Sequence, residues 1–509
     1  MRTSILFFVL SLALLTSIFF GKATAAESKS NLILIVADDM GWGDVGYHGF
    51  KNIMTPNIDK LARDGAIFTQ GYVTASVCSP SRSGFLTGQY QQRFHCGENP
   101  PLHGWPDNCK FPKAGLPTDR PILAEMLKKE GYATGMVGKW HLGMDTTLRP
   151  NARGFDFYFG FLNGAHSYFT WEENFNTRPS FLPLMRNEKI EPKPKKDVYL
   201  TDLFSDEAVG FIERSHKEPF FLYVSYNAVH SPWEVPKEYR ARTKNLTKSR
   251  DRNFFAAMVL AMDDGVGEIM NALRRHNIDD KTAVIFLADN GTPRGQGLKP
   301  SPKDSTIERM TSDDCMSTPG SLRGFKGDTY EGGIRVPFCM RWPGKIRPGT
   351  TYKQPVSSLD IVPTFLENIG APKVETDGVD LLPYLNGEKA KGTRPHKTLY
   401  WRRDNDYAIR SDDWKLTWND ASGSPTIKLF NLASDPNETN DLVAEEPERA
   451  QQLQKLFEKW DDTNPNNPYW GGPWNRKGNY GGPLDVAKFN ALPDKGNIHR
   501  KVKEKGKEE

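Results

Sequence analysis

A thiol, two hydroxyls and a guanidinium are concentrated in five residues, Cys78-Ser79-Pro80-Ser81-Arg82. A thiol is a potential nucleophile and a guanidinium binds anions, so this density favours a reaction centre. Taken alone, Cys78 is better explained as half of a disulfide, which is the commoner role of a lone cysteine in a secreted chain. The residues that follow, up to Gly88, are expected to open a helix.

Oxygen-donor side chains follow two apolar runs, 31–37 and 282–288. Both runs are typical of strands buried on both faces of a parallel sheet. These donors are Asp38, Asp39, Asp289 and Asn290. If the two strands are neighbours, the four side chains make a site for a hard divalent cation, which would relieve the repulsion between adjacent carboxylates. A turn capped by Asp39 and an Asn-Gly turn at Asn290 are the structural alternatives.

A lysine and two histidines stand at the ends of other predicted strands. Lys139 and His141 are two residues apart in a stretch expected to be extended, so their side chains should point the same way. His230 follows the strand predicted over 219–226. Taken singly, each is also typical of a solvated lysine or a structural histidine.

Strands alternate with amphipathic helices up to about residue 390, which predicts an α/β fold: a large domain with a mostly parallel central sheet flanked by helices. One long helix is predicted over 251–276, with Asp263 and Asp264 on its surface. Beyond residue 391 the pattern changes to short strands separated by turn residues, followed by a helix over 445–461. We therefore expect a smaller α+β C-terminal domain with an antiparallel sheet, and domain ranges of 26–390 and 391–509.

The N-terminus has the three parts of a secretory signal peptide: Met1-Arg2, an apolar run over 5–20, and the small-residue site Ala23-Thr24-Ala25. Cleavage is predicted near Ala25, giving a signal peptide over 1–25 and a protein exported to the periplasm or beyond the cell. A retained membrane anchor is the alternative, since the run approaches a spanning length. No later segment is expected to span a membrane.

Five cysteines are an odd number for an exported chain, which favours a special role for one of them. With Cys78 set aside, the preferred pairing is Cys96 with Cys109, which would close a short loop rich in proline and glycine. Cys315 and Cys339 are expected either to pair or to stay free.

The charge balance argues against a nucleic-acid partner. Lys and Arg number 67 and Asp and Glu 63, so the formal net charge is +4, and the basic residues are dispersed instead of forming stripes.

The segment that begins at Cys78, with Leu86-Thr87-Gly88 after it, resembles the signature of type I sulfatases, in which that cysteine is oxidised after translation to formylglycine. Four further segments resemble the family's motifs, in the expected order. They are the run D-D-M-G-W-G-D from Asp38, the run G-K-W-H-L-G from Gly138, the stretch 322–337, in which Lys326 is the candidate lysine, and the stretch 429–438, which is similar to the segment that closes the small C-terminal sheet. The resemblance covers nearly the whole mature chain and implies an alkaline phosphatase-like fold.

The resemblance implies an exported enzyme that hydrolyses sulfate esters, with a sulfated carbohydrate as the expected substrate, after a maturation enzyme has converted Cys78 to formylglycine. The hydrated aldehyde attacks sulfur, the alcohol leaves, and the second hydroxyl expels sulfate from the sulfo-enzyme intermediate. One Ca²⁺ would be bound by Asp38, Asp39, Asp289, Asn290 and the modified Cys78.

The remaining site residues also come from the resemblance. Arg82, Lys139 and Lys326 would surround the anion with positive charge. His141 would accept a proton from the diol. His230 would lie toward the leaving oxygen and either donate a proton to it or hold the ester in position, although the roles of the two histidines could be exchanged. Substrate contacts are assigned to Lys139, His230, Lys326 and, in the glycine- and aromatic-rich stretch 160–170, His166.

The sequence departs from the family pattern in the polar loop over 291–321, which is longer than expected, and at Thr292, where the family often has glycine. Substrate preference is therefore the property least transferable. Two other interpretations stay open: a phosphoesterase or phosphonate hydrolase of the same superfamily, and a sulfated-glycan binder without activity. Conversion of Cys78 to the aldehyde would favour the sulfatase over both.

Overall fold

A computed structural model describes residues 29–100, 115–169, 183–192, 198–294, 307–309, 316–403, 406–419 and 426–464. The predicted signal peptide, Cys109, Cys315, most of the polar loop and the charged C-terminal tail lie outside these ranges. Among the described residues, the structure contains no helix that is both long and apolar enough to cross a bilayer.

The strands are β1 (Asn31–Ala37), β2 (Ala66–Phe68), β3 (Gly71–Tyr72), β4 (Ala133–Lys139), β5 (Phe157–Phe161), β6 (Met185–Arg186), β7 (Lys189–Ile190), β8 (Phe220–Ser225), β9 (Glu234–Pro236), β10 (Thr282–Ala288), β11 (Ile307–Arg309), β12 (Phe338–Arg341), β13 (Thr350–Tyr352), β14 (Val356–Ser357), β15 (Thr398–Arg403), β16 (Asp406–Ser411), β17 (Trp414–Asn419) and β18 (Thr426–Asn431). The α-helices are α1 (Pro56–Arg63), α2 (Cys78–Thr87), α3 (Leu123–Lys129), α4 (Leu200–Ser215), α5 (Lys237–Thr243), α6 (Arg250–Arg275), α7 (Glu331–Ile334), α8 (Ile361–Asn368), α9 (Leu382–Leu385) and α10 (Pro447–Asp461).

The central sheet has the strand order β13-β2-β12-β10-β1-β8-β4-β5-β6-β7. Its middle, β10-β1-β8-β4-β5, is parallel, and β12 joins it antiparallel. Every residue of β1, β8 and β10 is buried, as expected for strands covered on both faces. Helices α1, α4 and α5 contact α6, and α3 and α8 contact α2. The predicted mostly parallel sheet flanked by helices is confirmed.

The C-terminal sheet is separate and antiparallel, with the order β15-β16-β17-β18. Helix α10 packs on it through Leu453, Phe457 and Trp460, which share an apolar cluster with Tyr407 and Trp418. The predicted antiparallel meander followed by a helix is therefore confirmed.

Two expectations about the large domain are wrong. The strand predicted over 66–73 is broken into β2, in the central sheet, and β3, which pairs with β14. Asp263 is fully buried instead of exposed, because its carboxylate accepts hydrogen bonds from the backbone N–H groups of Asn57 and Ile58 at the start of α1. Asp264 does lie near the surface, where it pairs with Arg242.

The preferred pairing of Cys96 with Cys109 stays a prediction, because Cys109 lies outside the described residues, among which Cys96 is buried and forms no disulfide. Its Sγ lies 3.6 Å from the carbonyl oxygen of Gly115. Burial raises the pKa of Cys96 to about 12, which makes it an inert core residue. Cys339, in the middle of β12, is likewise free and buried.

Candidate active site

Asp38 and Asp39 lie beside Asp289 and Asn290 because β1 and β10 are parallel neighbours in register, with Ala37 opposite Ala288 at their carboxyl ends. The residues that follow are therefore side by side, and the backbone N–H of Asp39 donates to Asp289 Oδ1 at 3.2 Å. Asp39 adopts a left-handed conformation, with φ 63°. Asn290 Nδ2 donates to Asp39 Oδ1 at 2.7 Å. The predicted convergence of the four donors is present.

Cys78 is the first residue of α2, a helix whose ten residues are all buried. This placement brings the thiol to the carboxylates: its Sγ lies 3.5 Å from Asp38 Oδ1. One ligand atom from each of Asp38, Asp39, Cys78 and Asp289 lies within 4.8 Å of the others. The first turn of α2 thus faces the ends of β1 and β10.

Arg82, one turn further along α2, is fully buried and pairs with Asp289 through Nε and Nη2, at 2.9 and 2.7 Å. Its Nη1 donates to the hydroxyls of Ser225 and Tyr223. These two β8 residues were not predicted. Their signal is the pair of polar groups at alternate positions of an otherwise apolar run, which places both on one face of the strand.

Two lysines reach the same carboxylates from other elements. Lys139, at the end of β4 and fully buried, donates from Nζ to Asp38 Oδ2 at 2.6 Å. Lys326, from the loop before α7, donates to Asp39 Oδ1 at 2.6 Å and lies 3.3 Å from Cys78 Sγ. All three predicted cations therefore surround the Cys78 thiol and the acids.

The histidines are placed differently from one another. His141 is buried beside Lys139, but its φ of 60° shows that the expected extended conformation is wrong. The His141 ring packs against Gly164, and there is room for it because Gly164 has no side chain: a Cβ atom there would lie 2.6 Å from Nε2. His230 is partly exposed, with Nε2 3.6 Å from Asp39 Oδ2. His166 is buried with its ring against Phe161 and Nδ1 on the carbonyl oxygen of Ser167.

Charge and burial shift the pKa of several groups. Burial raises the pKa of Asp38, but Lys139, with smaller contributions from Arg82 and Lys326, outweighs it, so that pKa lies far below its usual value. Burial and then the nearby Asp38 raise the pKa of Asp289. For Cys78, burial raises the pKa to about 12 despite Lys139 and Lys326. The unmodified thiol is therefore protonated at neutral pH and is a poor nucleophile.

The acidic cluster fits a divalent cation. Three buried carboxylates share a small volume, and the Oδ1 atom of Asn290 is buried without a hydrogen-bond partner in the described part of the chain. Carboxylate and amide oxygens are the donors that hard cations prefer, and an ion would offset the mutual repulsion of the acids. Asp38, Asp39, Asp289 and Asn290 are thus the residues that could hold it.

Comparison with known proteins decides the family. The sulfatase family model matches residues 30–371, which is more than half of the chain, and the model for the C-terminal part of N-sulphoglucosamine sulphohydrolase matches residues 325–464. The chain belongs to the sulfatase family. This sulfatase is accordingly a sulfuric ester hydrolase.

Several relatives match this sulfatase over most of their length. It is 31% identical over 506 residues to an N-acetylgalactosamine-6-O-sulfatase of Bacteroides thetaiotaomicron, with 85% of this chain and 93% of the relative covered. It is 31% identical over 485 residues to arylsulfatase A of Homo sapiens, with 85% and 88% covered. The crystal structure of Ps i-CgsB in complex with k-i-k-neocarrahexaose is 34% identical, with a TM-score of 0.74, and the match covers 92% of this chain and 98% of that one.

Proposed function

We propose that this sulfatase removes sulfate from a sulfated carbohydrate, with formylglycine made from Cys78 as the nucleophile and one Ca²⁺ in the acidic cluster. The observation that carries the proposal is that Cys78 Sγ lies within 3.5 Å of both a carboxylate oxygen of Asp38 and the ammonium of Lys326. A carbohydrate as the class of substrate is supported by two relatives: one is named an N-acetylgalactosamine-6-O-sulfatase, and the other was crystallised in complex with k-i-k-neocarrahexaose.

The modification supplies what a thiol cannot. The aldehyde hydrates to a diol, one hydroxyl of which attacks sulfur while the other later expels sulfate, so that the aldehyde is regenerated. The unmodified Cys78, with a pKa of about 12, would be neither a ready nucleophile nor able to release sulfate. A bound divalent ion would lower the pKa of the attacking hydroxyl and polarise a sulfate oxygen.

The chain's own cations bind and orient the anion. Arg82 is held on Asp289 and on the β8 hydroxyls, so its position is fixed before substrate arrives. Lys139 and Lys326 stand on either side of the carboxylates, each 2.6 Å from one of them. Such preorganised charge stabilises the developing negative charge on the sulfuryl oxygens without reorganisation during the reaction.

The histidines supply the proton transfers. Burial, and then Lys139 and Arg82, hold the pKa of His141 well below its usual value, and its Nδ1 is buried without a hydrogen-bond partner. His141 is therefore neutral at neutral pH, and we assign it to accept the proton of the diol because a ring nitrogen is unpaired among the described residues and not because its basicity is raised. His230, which is 19% exposed at the rim, is suited to donate a proton to the leaving oxygen or to hold the ester, and His166 is assigned to contact the substrate.

The proposal also includes export of the protein after removal of residues 1–25, and two domains with the ranges 26–390 and 391–509.

The test combines mass spectrometry with a substrate panel. Conversion to formylglycine lowers the mass of the peptide that contains Cys78 by about 18 Da, whereas ordinary cysteine oxidation adds oxygen. The converted protein should release sulfate from defined sulfated mono- and oligosaccharides, and Cys78→Ala should abolish that release while the protein stays folded. Wild-type rates in Cys78→Ala, or hydrolysis of phosphonate esters but of no sulfate ester, would refute the proposal.

A further inference from the structure

A groove lies on the edge of the central sheet, away from the acidic cluster. It has a volume of about 990 Å³ and is formed by the turns on either side of β13 and by the segment after α9. Strand β13 is separated from β1 by β2, β12 and β10, so at the usual spacing of strands it lies roughly 19 Å across the sheet from β1. The groove is therefore a separate feature from the site around Cys78.

Among the residues that the structure describes, cations and no acids line the groove. Lys345, Arg347, Lys353 and Lys391 line it, and none of its lining residues is Asp or Glu. In the part of the chain that the structure describes, none of the four forms an ion pair, whereas Arg335, Arg341 and Arg394 nearby are each paired with a carboxylate. Four unpaired cations in one concave surface are a local excess for a chain whose formal net charge is only +4.

The walls of the groove are open and suit an extended ligand. Gly344, Gly349, Gly387 and Gly392 line it with positive φ values, and a side chain placed at any of them would meet no atom within 4 Å. One tyrosine of the lining, Tyr384, is partly exposed and supplies flat apolar surface, whereas Tyr352, also in the lining, is buried, with its hydroxyl donating to the carbonyl oxygen of Thr393 at 2.7 Å. Aromatic rings flanked by cations can bind a chain that carries both apolar faces and fixed negative charges.

We propose that this groove is a non-catalytic binding site for the sulfate groups of a polysaccharide chain, which it holds while another part of the chain is processed in the pocket. The choice of a sulfated glycan over another polyanion rests on the proposed function. Sulfate groups stay ionised throughout the working pH range, so lysine and arginine side chains can bind them without any titration. Because the four cations are exposed or partly exposed, binding should weaken as salt is added.

Binding is measured with the Cys78→Ala protein, so that no probe is consumed, by calorimetry with dextran sulfate against unsulfated dextran of the same length. The groove variant carries Lys345→Ala, Arg347→Ala, Lys353→Ala and Lys391→Ala. The matched control carries Lys217→Ala, Lys244→Ala, Arg250→Ala and Lys281→Ala, which remove the same charge from exposed positions elsewhere. We expect the groove variant to raise the Kd for dextran sulfate about tenfold or more, the control to change it little, and dextran not to bind.

Equal affinity of the groove variant and the control would overturn the proposal, and tighter binding of single-stranded DNA than of dextran sulfate at the same salt would overturn the ligand class. In proteins that keep Cys78, the groove variant should hydrolyse a small aryl sulfate with unchanged kcat/KM but act on the polymer with a raised KM. If no sulfate ester is hydrolysed while the charge-dependent binding persists, the proposed function fails and the groove stands as an anionic-polymer site.

Discussion

The ammonium of Lys326 lies 3.3 Å from Cys78 Sγ, although the two residues are 248 positions apart in the chain. The backbone fixes this approach on both sides, because the N–H of Lys326 donates to the carbonyl oxygen of Thr292 and the N–H of Gly327 donates to that of Ser76. Gly327 has a φ of 94°, which a glycine adopts without strain. The loop before α7 is thus shaped to deliver one cation to the thiol.

Replacement of Lys326 by Met should lower kcat/KM for an aryl sulfate about 10²- to 10³-fold, because a preorganised charge on the reacting anion is lost. The far-UV circular dichroism should not change, since the side chain is at the rim and 19% exposed. Lys373→Met, at an exposed position, is the matched control and should keep full activity. Activity of Lys326→Met within twofold of wild type would exclude Lys326 from the site.

Removal of divalent ions by a chelator should abolish turnover and lower Tm, and Ca²⁺ should restore both. An ion that binds only the folded protein stabilises it by about 2.7 kcal/mol when its free concentration is a hundred times its Kd. Asn290→Ala removes an oxygen that has no hydrogen-bond partner among the described residues, so it should raise the Ca²⁺ concentration needed for half-maximal Tm recovery. A metal-free protein with unchanged Tm and activity would contradict the four-residue site.

The sequence predicted what depends on strand ends, and missed what depends on packing between distant elements. Asp38, Asp39, Asp289 and Asn290 were predictable because apolar runs identify parallel strands, whose carboxyl ends share one edge. The burial of Asp263 was not, because its two partners on α1 are more than 200 residues away. Lys326 was identified only by the family resemblance. It lies in the loop before α7, which is neither a helix nor a strand, so no local periodicity points to it.

The buried ion pairs of the C-terminal sheet show the same limit. Lys415 in β17 is fully buried, and its Nζ lies 2.9 Å from Glu331 Oε1 and 2.8 Å from Glu438 Oε1. Periodicity gives no sign that this lysine faces inward. Because Glu331 begins α7, these contacts attach the small sheet to the segment that carries Lys326.

Lys415→Met should therefore destabilise the protein by about 3–5 kcal/mol, since it leaves the buried Glu438 carboxylate without its cation and, among the described residues, leaves Glu331 with only Arg335 as an ion-pair partner, at 3.5 Å. Urea unfolding followed by tryptophan fluorescence measures the change. The triple variant that adds Glu331→Gln and Glu438→Gln should recover much of the loss, because the buried negative charges are removed together with the lysine. If Lys415→Met alone were as stable as wild type, the pairs would contribute nothing to the attachment of the sheet.

Stability should also depend on pH through His396, whose Nε2 lies 2.7 Å from Asp360 Oδ1. Burial lowers the pKa of His396, but the Asp360 carboxylate outweighs it, so the folded-state pKa lies above the usual 6.5. A group with a raised pKa stabilises the folded state fully below its unfolded pKa and loses that contribution as pH rises through the folded pKa. The loss of unfolding free energy in His396→Gln should therefore be larger at pH 5.5 than at pH 9. In an Asp360→Asn background, which removes the carboxylate that raises the pKa, the larger loss at pH 5.5 for His396→Gln should disappear. Equal losses at both pH values for His396→Gln would mean that the protonated imidazole does not contribute through Asp360.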